Sequence, residues 1–207
     1  MQLRVAAILL GILAVTAAPT FAQMTGGAKV GINWATVSEE DEEDNDIGSK
    51  TGLVIGGFVN VPMTPMFSFA PEVLYTQKGA KQEFTEGGFD FEQKLKLDFI
   101  QIPLLFKASG FADTATVRPF FTVGPAIGFL TKGRFEESVD GDEFDEDIKD
   151  ELKSVDFSLV VGGGAHFGRG IFEIRYDHGF TNLEDEDEGG SGELKTRTFS
   201  VLFGVGF

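Results

Sequence analysis

The densest set of potential metal ligands in this chain is the acidic run Asp140-Gly-Asp-Glu-Phe-Asp-Glu-Asp147. Clustered carboxylates bind hard divalent cations, so the candidate calcium ligands are Asp140, Asp142, Asp145 and Asp147. The run departs from the EF-hand pattern, because Asp145 stands where that loop requires glycine. The sequence therefore favours a solvated acidic loop, with weak, non-selective binding of divalent cations as the alternative.

Histidine is the most frequent general base of an enzymatic site, and this chain holds two, His166 and His178. A nucleophile such as serine or cysteine must lie within hydrogen-bond reach of the base. The chain has no cysteine, no Gly-x-Ser-x-Gly turn and no pair of histidines at metal-binding spacing. We therefore predict no catalytic residues, no cofactor and no enzymatic activity.

These residues lie in a chain with the period-two apolar alternation of β-strands. Eight such segments are found near residues 26–36, 51–61, 67–78, 92–107, 116–130, 155–167, 171–183 and 197–207. The connections between them alternate between short (62–66, 108–115, 168–170) and long (37–50, 79–91, 131–154, 184–196). This sorting is typical of an all-β, eight-stranded antiparallel up-and-down transmembrane β-barrel, with its turns in the periplasm and its loops outside.

One face of each predicted strand is apolar and is assigned to lipid. On the first strand it holds Val30, Ile32 and Trp34. The second strand is apolar on both faces, so its orientation stays open. The same alternation places His166 inward near the periplasmic rim and His178 toward lipid near the outer rim.

The opposite face collects charged residues, and eight strands leave a lumen only wide enough for side chains. We predict a structural ion network there, made of Glu72, Arg118, Asp156, Glu173, Arg175 and Asp177. The partners expected for Glu173, Arg175 and Asp177 are Lys29, Lys107, Arg118 and Asp156. Because an unpaired buried charge is costly, the near balance of signs predicts a filled, non-conducting lumen.

The net charge of −16 is confined to three segments. Residues 37–50, 131–154 and 183–197 together carry 23 acids and 7 bases, and the rest of the chain is formally neutral. All three coincide with predicted outer loops. Such acidity argues against a nucleic-acid partner.

The amino terminus has the features of an export signal. Arg4 precedes an apolar stretch from Val5 to Ala18, and small residues lead to a cleavage site after Ala22. Fourteen apolar residues are too few for a membrane-spanning helix, which needs roughly 20. We predict a signal peptide over residues 1–22 and one barrel domain over residues 23–207.

The final segment, Phe199-Ser-Val-Leu-Phe-Gly-Val-Gly-Phe207, places five apolar residues on one face and ends on an aromatic residue. This end resembles the carboxy-terminal signature of bacterial outer-membrane barrels. The resemblance implies that the barrel assembly machinery reads this strand and that Phe207 is part of the assembly signal.

Further motifs resemble the PorT-like outer-membrane β-barrel proteins of the Bacteroidetes over essentially the whole mature chain. Pro71-Glu-Val-Leu-Tyr-Thr-Gln-Lys-Gly79 is similar to the family pattern Pro-Glu-Leu-x-Tyr-x-Gln-Lys-Gly. Leu97-Asp-Phe-Ile-Gln-Ile-Pro-Leu-Leu-Phe-Lys107 resembles Tyr-Ile-Glu-Ile-Pro-Leu-x-x-Lys, with Phe99 and Gln101 where tyrosine and glutamate are usual. Most members of that family have no assigned activity, and one namesake participates in protein secretion.

The sequence thus predicts an integral protein of the outer membrane, in contact with its lipids. We expect a structural or surface-interaction role with surface proteins, or an accessory role with secretion-system proteins. Two alternatives stay open. One is a lipid-modifying enzyme of the outer membrane, and the other is a soluble lipocalin-like barrel that binds a ligand.

Deleting Phe207 should impair assembly more than the finished fold. Burial of its ring contributes about 2 kcal/mol, which is modest beside a closed network of strand hydrogen bonds. We expect less membrane-inserted protein in cells but near-normal refolding in detergent. Insertion at the wild-type level in cells would contradict the assembly-signal interpretation.

Overall fold

The computed structural model describes residues 24–38, 48–86, 89–110, 117–139, 142–183 and 194–207. The predicted signal peptide and its cleavage site lie outside these residues. The strands are β1 Thr25–Ser38, β2 Gly48–Pro62, β3 Phe67–Glu86, β4 Phe89–Ser109, β5 Val117–Val139, β6 Asp142–Asp147, β7 Val155–Phe167, β8 Gly170–Gly179 and β9 Lys195–Gly206. A 3₁₀ turn covers Lys149–Glu151. In this part of the chain, no helix is long and apolar enough to cross a membrane.

Eight strands close into an antiparallel barrel. Consecutive barrel strands pair with each other, and β1 pairs with β9 to complete the ring. Within the described chain β6 pairs with β5 alone and stands outside the ring. The predicted eight-stranded up-and-down barrel is confirmed.

Strand alternation separates an apolar outer face from a polar lumen. On β1, Val30 and Ile32 are each 47% exposed, whereas Lys29 is 6% and Asn33 is 1% exposed. The structure also assigns the open orientation of β2, because Leu53, Ile55 and Val59 point outward. The outward apolar residues form a belt around the barrel. On β3, β4 and β5 one edge of this belt lies at Tyr75, Ile100 and Phe129.

The two rims of the barrel differ. One carries the tight turns between β2 and β3 and between β7 and β8, together with the first residue of β1 and the last of β9. There Gly26 and Phe207 exchange main-chain hydrogen bonds of 2.8 and 3.1 Å. We call this the short-turn rim and the opposite one the long-loop rim.

Two predicted loops are wrong, because the strands continue beyond the apolar belt. Residues 79–86 and 89–91 form the paired ends of β3 and β4 rather than a loop. Within 131–154, β5 runs to Val139 and then pairs with β6. Charged residues in these segments interrupt the apolar alternation by which a strand is predicted from sequence. In the folded strands, cross-strand ion pairs take the place of apolar contacts. The seventh predicted strand is also too long, since β8 ends at Gly179.

One irregularity in the sheet requires glycine. The register of β2 on β3 shifts between Ser49 and Val54, so β2 carries an extra residue there. Opposite this bulge, Gly79 has a φ of +136°, and a Cβ at that position would collide with the carbonyl oxygen of Leu95.

Replacing Gly79 by alanine should therefore destabilise the barrel by about 1–3 kcal/mol. Gly168 is the control, because its φ of +62° is one that asparagine tolerates and nothing lies within 4 Å of its Cβ position. Denaturant unfolding in detergent can be followed by the fluorescence of Trp34, the single tryptophan. Equal losses for Gly79→Ala and Gly168→Asn would show that the bulge does not constrain this position.

Candidate functional site: the charged lumen

The middle of the lumen holds a compact cluster of four opposite charges. The Lys29 ammonium donates to Glu72 at 2.6 Å and to Glu173 at 2.7 Å. The Arg175 guanidinium donates to both oxygens of Glu72 at 2.7 Å and to both oxygens of Glu173 at 2.7 and 3.0 Å. All four side chains are almost fully buried. We call this set of residues the four-charge cluster.

The fold brings these side chains together from β1, β3 and β8, each pointing inward by strand alternation. Thr122 of β5 adds a hydrogen bond of 3.2 Å to Glu173. Gly162 of β7 leaves the necessary space, since a Cβ there would lie 3.0 Å from the side chain of Arg175. The cluster is neutral overall, and its carboxylate oxygens all accept hydrogen bonds. A buried ion group is tolerated only under those conditions.

A second group lies closer to the long-loop rim. The Lys78 ammonium is 3.2 Å from Asp177 and 3.6 Å from Asp156. Gln101 donates to Asp177, and Thr196 donates to Asp156 at 3.1 Å. One oxygen of each carboxylate has no hydrogen-bond partner within the described chain. With two aspartates and one lysine, this upper group has a formal charge of −1.

Above these charges the lumen is closed by an apolar cap. Its buried members are Leu97, Phe99, Leu130, Leu152 and Leu183. Main-chain bonds tie the cap together, including Leu130 to Ser154 and Lys153 to Leu183, each 2.8 Å. Ion groups and cap thus occupy successive levels of the described part of the lumen.

Beyond the cap, β3, β4 and β5 carry pairs of opposite charge across neighbouring strands. Glu92 lies between Lys81 and Lys94, whose hydrogen bonds lower the pKa of its carboxyl to about 2. Lys96 pairs with Glu136 at 2.5 Å. These partly exposed pairs add little stability.

Not every residue of the predicted network joins these groups. Arg118 is exposed at the short-turn rim, beside His166 in the register of β5 and β7. Its position two residues into β5 places it at the mouth rather than in the lumen. Asp177 pairs with Lys78, which was not among its expected partners.

Lys29 and Lys78 complete the two groups, and of these two only Lys29 was among the predicted partners. Both lie on the inward face of their strands, so alternation indicates that they face the lumen. Which residues they contact depends on how the strands are shifted relative to one another along the barrel axis. Alternation within a single strand does not reveal this shift.

The acidic candidates for metal binding are not gathered in the described chain. Asp140 lies outside the described residues, as does the side chain of Asp142. Asp145 lies 3.6 Å from Arg134, and Asp147 accepts a hydrogen bond of 3.1 Å from the amide of Lys149. Within the described residues, no group of three or more potential ligands could hold a metal ion.

The histidines lie on opposite faces of the barrel wall. His166 points inward, and its Nε2 is 2.6 Å from the Lys107 ammonium. His178 lies on the outer face between Tyr176 and Phe180, with its Nδ1 3.5 Å from the tyrosine hydroxyl. Neither arrangement is a nucleophile paired with a base.

Comparison with known proteins gives a family and a set of distant structures. A family described as "Outer membrane protein beta-barrel domain" matches residues 21–185. A search of curated proteins found no significant match.

Three solved structures illustrate the level of structural similarity. Ail of Yersinia pestis, solved in complex with the heparin analogue sucrose octasulfate, is 14% identical, with 89% of this chain and 99% of that chain covered and a TM-score of 0.41. Neisserial surface protein A is 12% identical, with coverages of 87% and 96% and a TM-score of 0.44. The outer membrane enzyme PagL is 12% identical, with coverages of 84% and 98% and a TM-score of 0.42.

Replacing Arg175 by methionine should destabilise the barrel by about 3–5 kcal/mol, because Glu72 and Glu173 would then face a single lysine. The double variant Arg175→Met/Glu173→Gln should recover part of the loss, since its cluster is again neutral. Lys96→Met is the control on an exposed ion pair and should cost about 0–1 kcal/mol. Denaturant midpoints in detergent micelles give all three values. A loss for Arg175→Met no larger than for Lys96→Met would show that Arg175 does not compensate the two buried glutamates.

Proposed function

Since this chain belongs to the family of outer-membrane protein β-barrel domains, we propose that it is a non-conducting barrel that holds a charged β-sheet outside the outer membrane for contact with other molecules. In the proposed orientation of the barrel in the membrane, the short-turn rim faces the periplasm and the long-loop rim faces the medium. We also propose export through a cleaved signal peptide and membership of the PorT-like group, on the motifs described above.

The observation that carries the proposal is the contrast between the two halves of the sheet. Inside the apolar belt the lumen holds the four-charge cluster and the upper group, which supports a non-conducting interior. Beyond the belt, β3, β4 and β5 each continue for about ten residues. At about 3.3 Å per residue, the paired strands extend some 30 Å along their own direction.

Charge indicates the kind of partner. The segments 37–50, 131–154 and 183–197, with 23 acids and 7 bases, all belong to the long-loop rim. A surface of this composition attracts cationic protein segments and repels acidic ones. We propose that the partner is a cationic surface or secretion-system protein.

Conductance tests the filled lumen directly. We expect no large steady conductance when the refolded protein is inserted into planar bilayers, with a porin measured in parallel as the positive control. A stable open channel of porin size would exclude a lumen filled by the two ion groups.

A charge-neutral version of β6 tests the surface role. The five substitutions are Asp142→Asn, Glu143→Gln, Asp145→Asn, Glu146→Gln and Asp147→Asn. Calorimetric binding of an octalysine peptide at low salt should weaken in this variant, because five negative charges are lost.

The matched control exchanges aspartate and glutamate at the same five positions, which keeps the charge and changes only side-chain length. It should bind octalysine as the wild type does. If both variants bind the peptide equally well, the charge of this strand is not used and the surface role loses its support.

A further inference from the structure

At the short-turn rim the barrel interior opens into a cavity of about 450 Å³ whose charged side chains are all basic. The basic side chains are Lys107, Arg118, His166 and Arg169. No acidic side chain lines this cavity in the described part of the chain. Asn60 and Ser68 add neutral hydrogen-bonding groups to its wall.

Lys107 lies at the inner end of the cavity and is only 7% exposed. Its ammonium is 2.6 Å from His166 Nε2 and 4.0 Å from the centre of the Phe120 ring. An ammonium has three donors, and the histidine nitrogen accepts only one of them. Lys107 therefore has unused donors at the end of an open cavity.

The deeper acids do not supply the missing counter-charge. Glu72 and Glu173 are engaged by Lys29 and Arg175. Asp156 and Asp177 lie near Lys78 in the upper group. Lys107 thus has no carboxylate within ion-pair distance among the described residues, and a buried cation in that state is costly.

We propose that this cavity binds a phosphate-class oxyanion, held by Lys107 at its inner end and by Arg118 and Arg169 at its entrance. Arginine forks and lysine ammonium groups are the usual protein ligands of phosphate oxygens. A volume of about 450 Å³ lies within the range of small-molecule sites. The phosphate group is common to two sources, free phosphate in the periplasm and the headgroup of a phospholipid at that rim.

Two carboxylates of the chain itself compete with this assignment, the main-chain carboxylate of Phe207, which lines the cavity, and the side chain of Asp113. Asp113 belongs to the connection between β4 and β5, which lies outside the described residues. The experiment must therefore separate an external anion from an internal one.

The test uses the full mature protein refolded in zwitterionic detergent and titrated by calorimetry. Inorganic phosphate and a short-chain phosphatidic acid are the two ligands, and they distinguish the free from the lipid-borne source. Saturable binding of either ligand is expected. Lys107→Met or Arg169→Gln should weaken it at least about tenfold, as the loss of a charged hydrogen-bond donor predicts.

Arg197→Gln is the matched control, because it removes one positive charge from an exposed position of β9 at the opposite rim. Its affinity should equal that of the wild type. Arg169 lies in an exposed turn, so Arg169→Gln keeps the test valid if Lys107→Met fails to fold.

Two results would overturn the proposal. One is the absence of saturable binding of both ligands, or binding that Lys107→Met and Arg169→Gln leave unchanged. The other is binding that appears only in Asp113→Asn, which would identify the Asp113 carboxylate as the counter-charge.

Discussion

Closure of the sheet is the constraint on which the rest of this molecule depends. Pairing of β1 with β9 and of β4 with β5 removes the free strand edges of the ring, as a lipid environment requires. Eight strands then enclose a space just wide enough for side chains. Any charge that points inward loses most of its water and must find a partner of opposite sign within that space.

The lumen meets this requirement unevenly along its length. The four-charge cluster is neutral, the upper group has one excess negative charge, and Lys107 at the short-turn rim has one excess positive charge. Over the described residues of the lumen, the formal charges of these eight side chains sum to zero, although the excess negative and excess positive charge lie in different parts of it. The excess charges at the two ends of the lumen are candidates for binding, because an external ion can neutralise a charge that has no partner within the chain.

The outer half of the sheet follows a different rule. Beyond the apolar belt the strands face water on both sides, so they carry charged residues in cross-strand pairs instead of a buried core. The apolar cap built on Leu97, Phe99 and Leu130 separates this region from the lumen. A membrane-embedded base therefore supports a solvated sheet.

Much of this arrangement is determined by the sequence alone. Period-two alternation identifies eight strands and which side chains face lipid, because neighbouring residues of a strand point to opposite faces. It also shows that Glu72, Glu173 and Arg175 point inward. The tertiary structure decides which of these meet, since strand stagger sets the relative height of residues far apart in sequence. That is why Lys29 belongs to the four-charge cluster while Arg118 stays at the mouth. Only the structure shows that two charged segments predicted as loops are paired strands. These strand extensions are stabilised by cross-strand partners, which a local sequence pattern does not reveal.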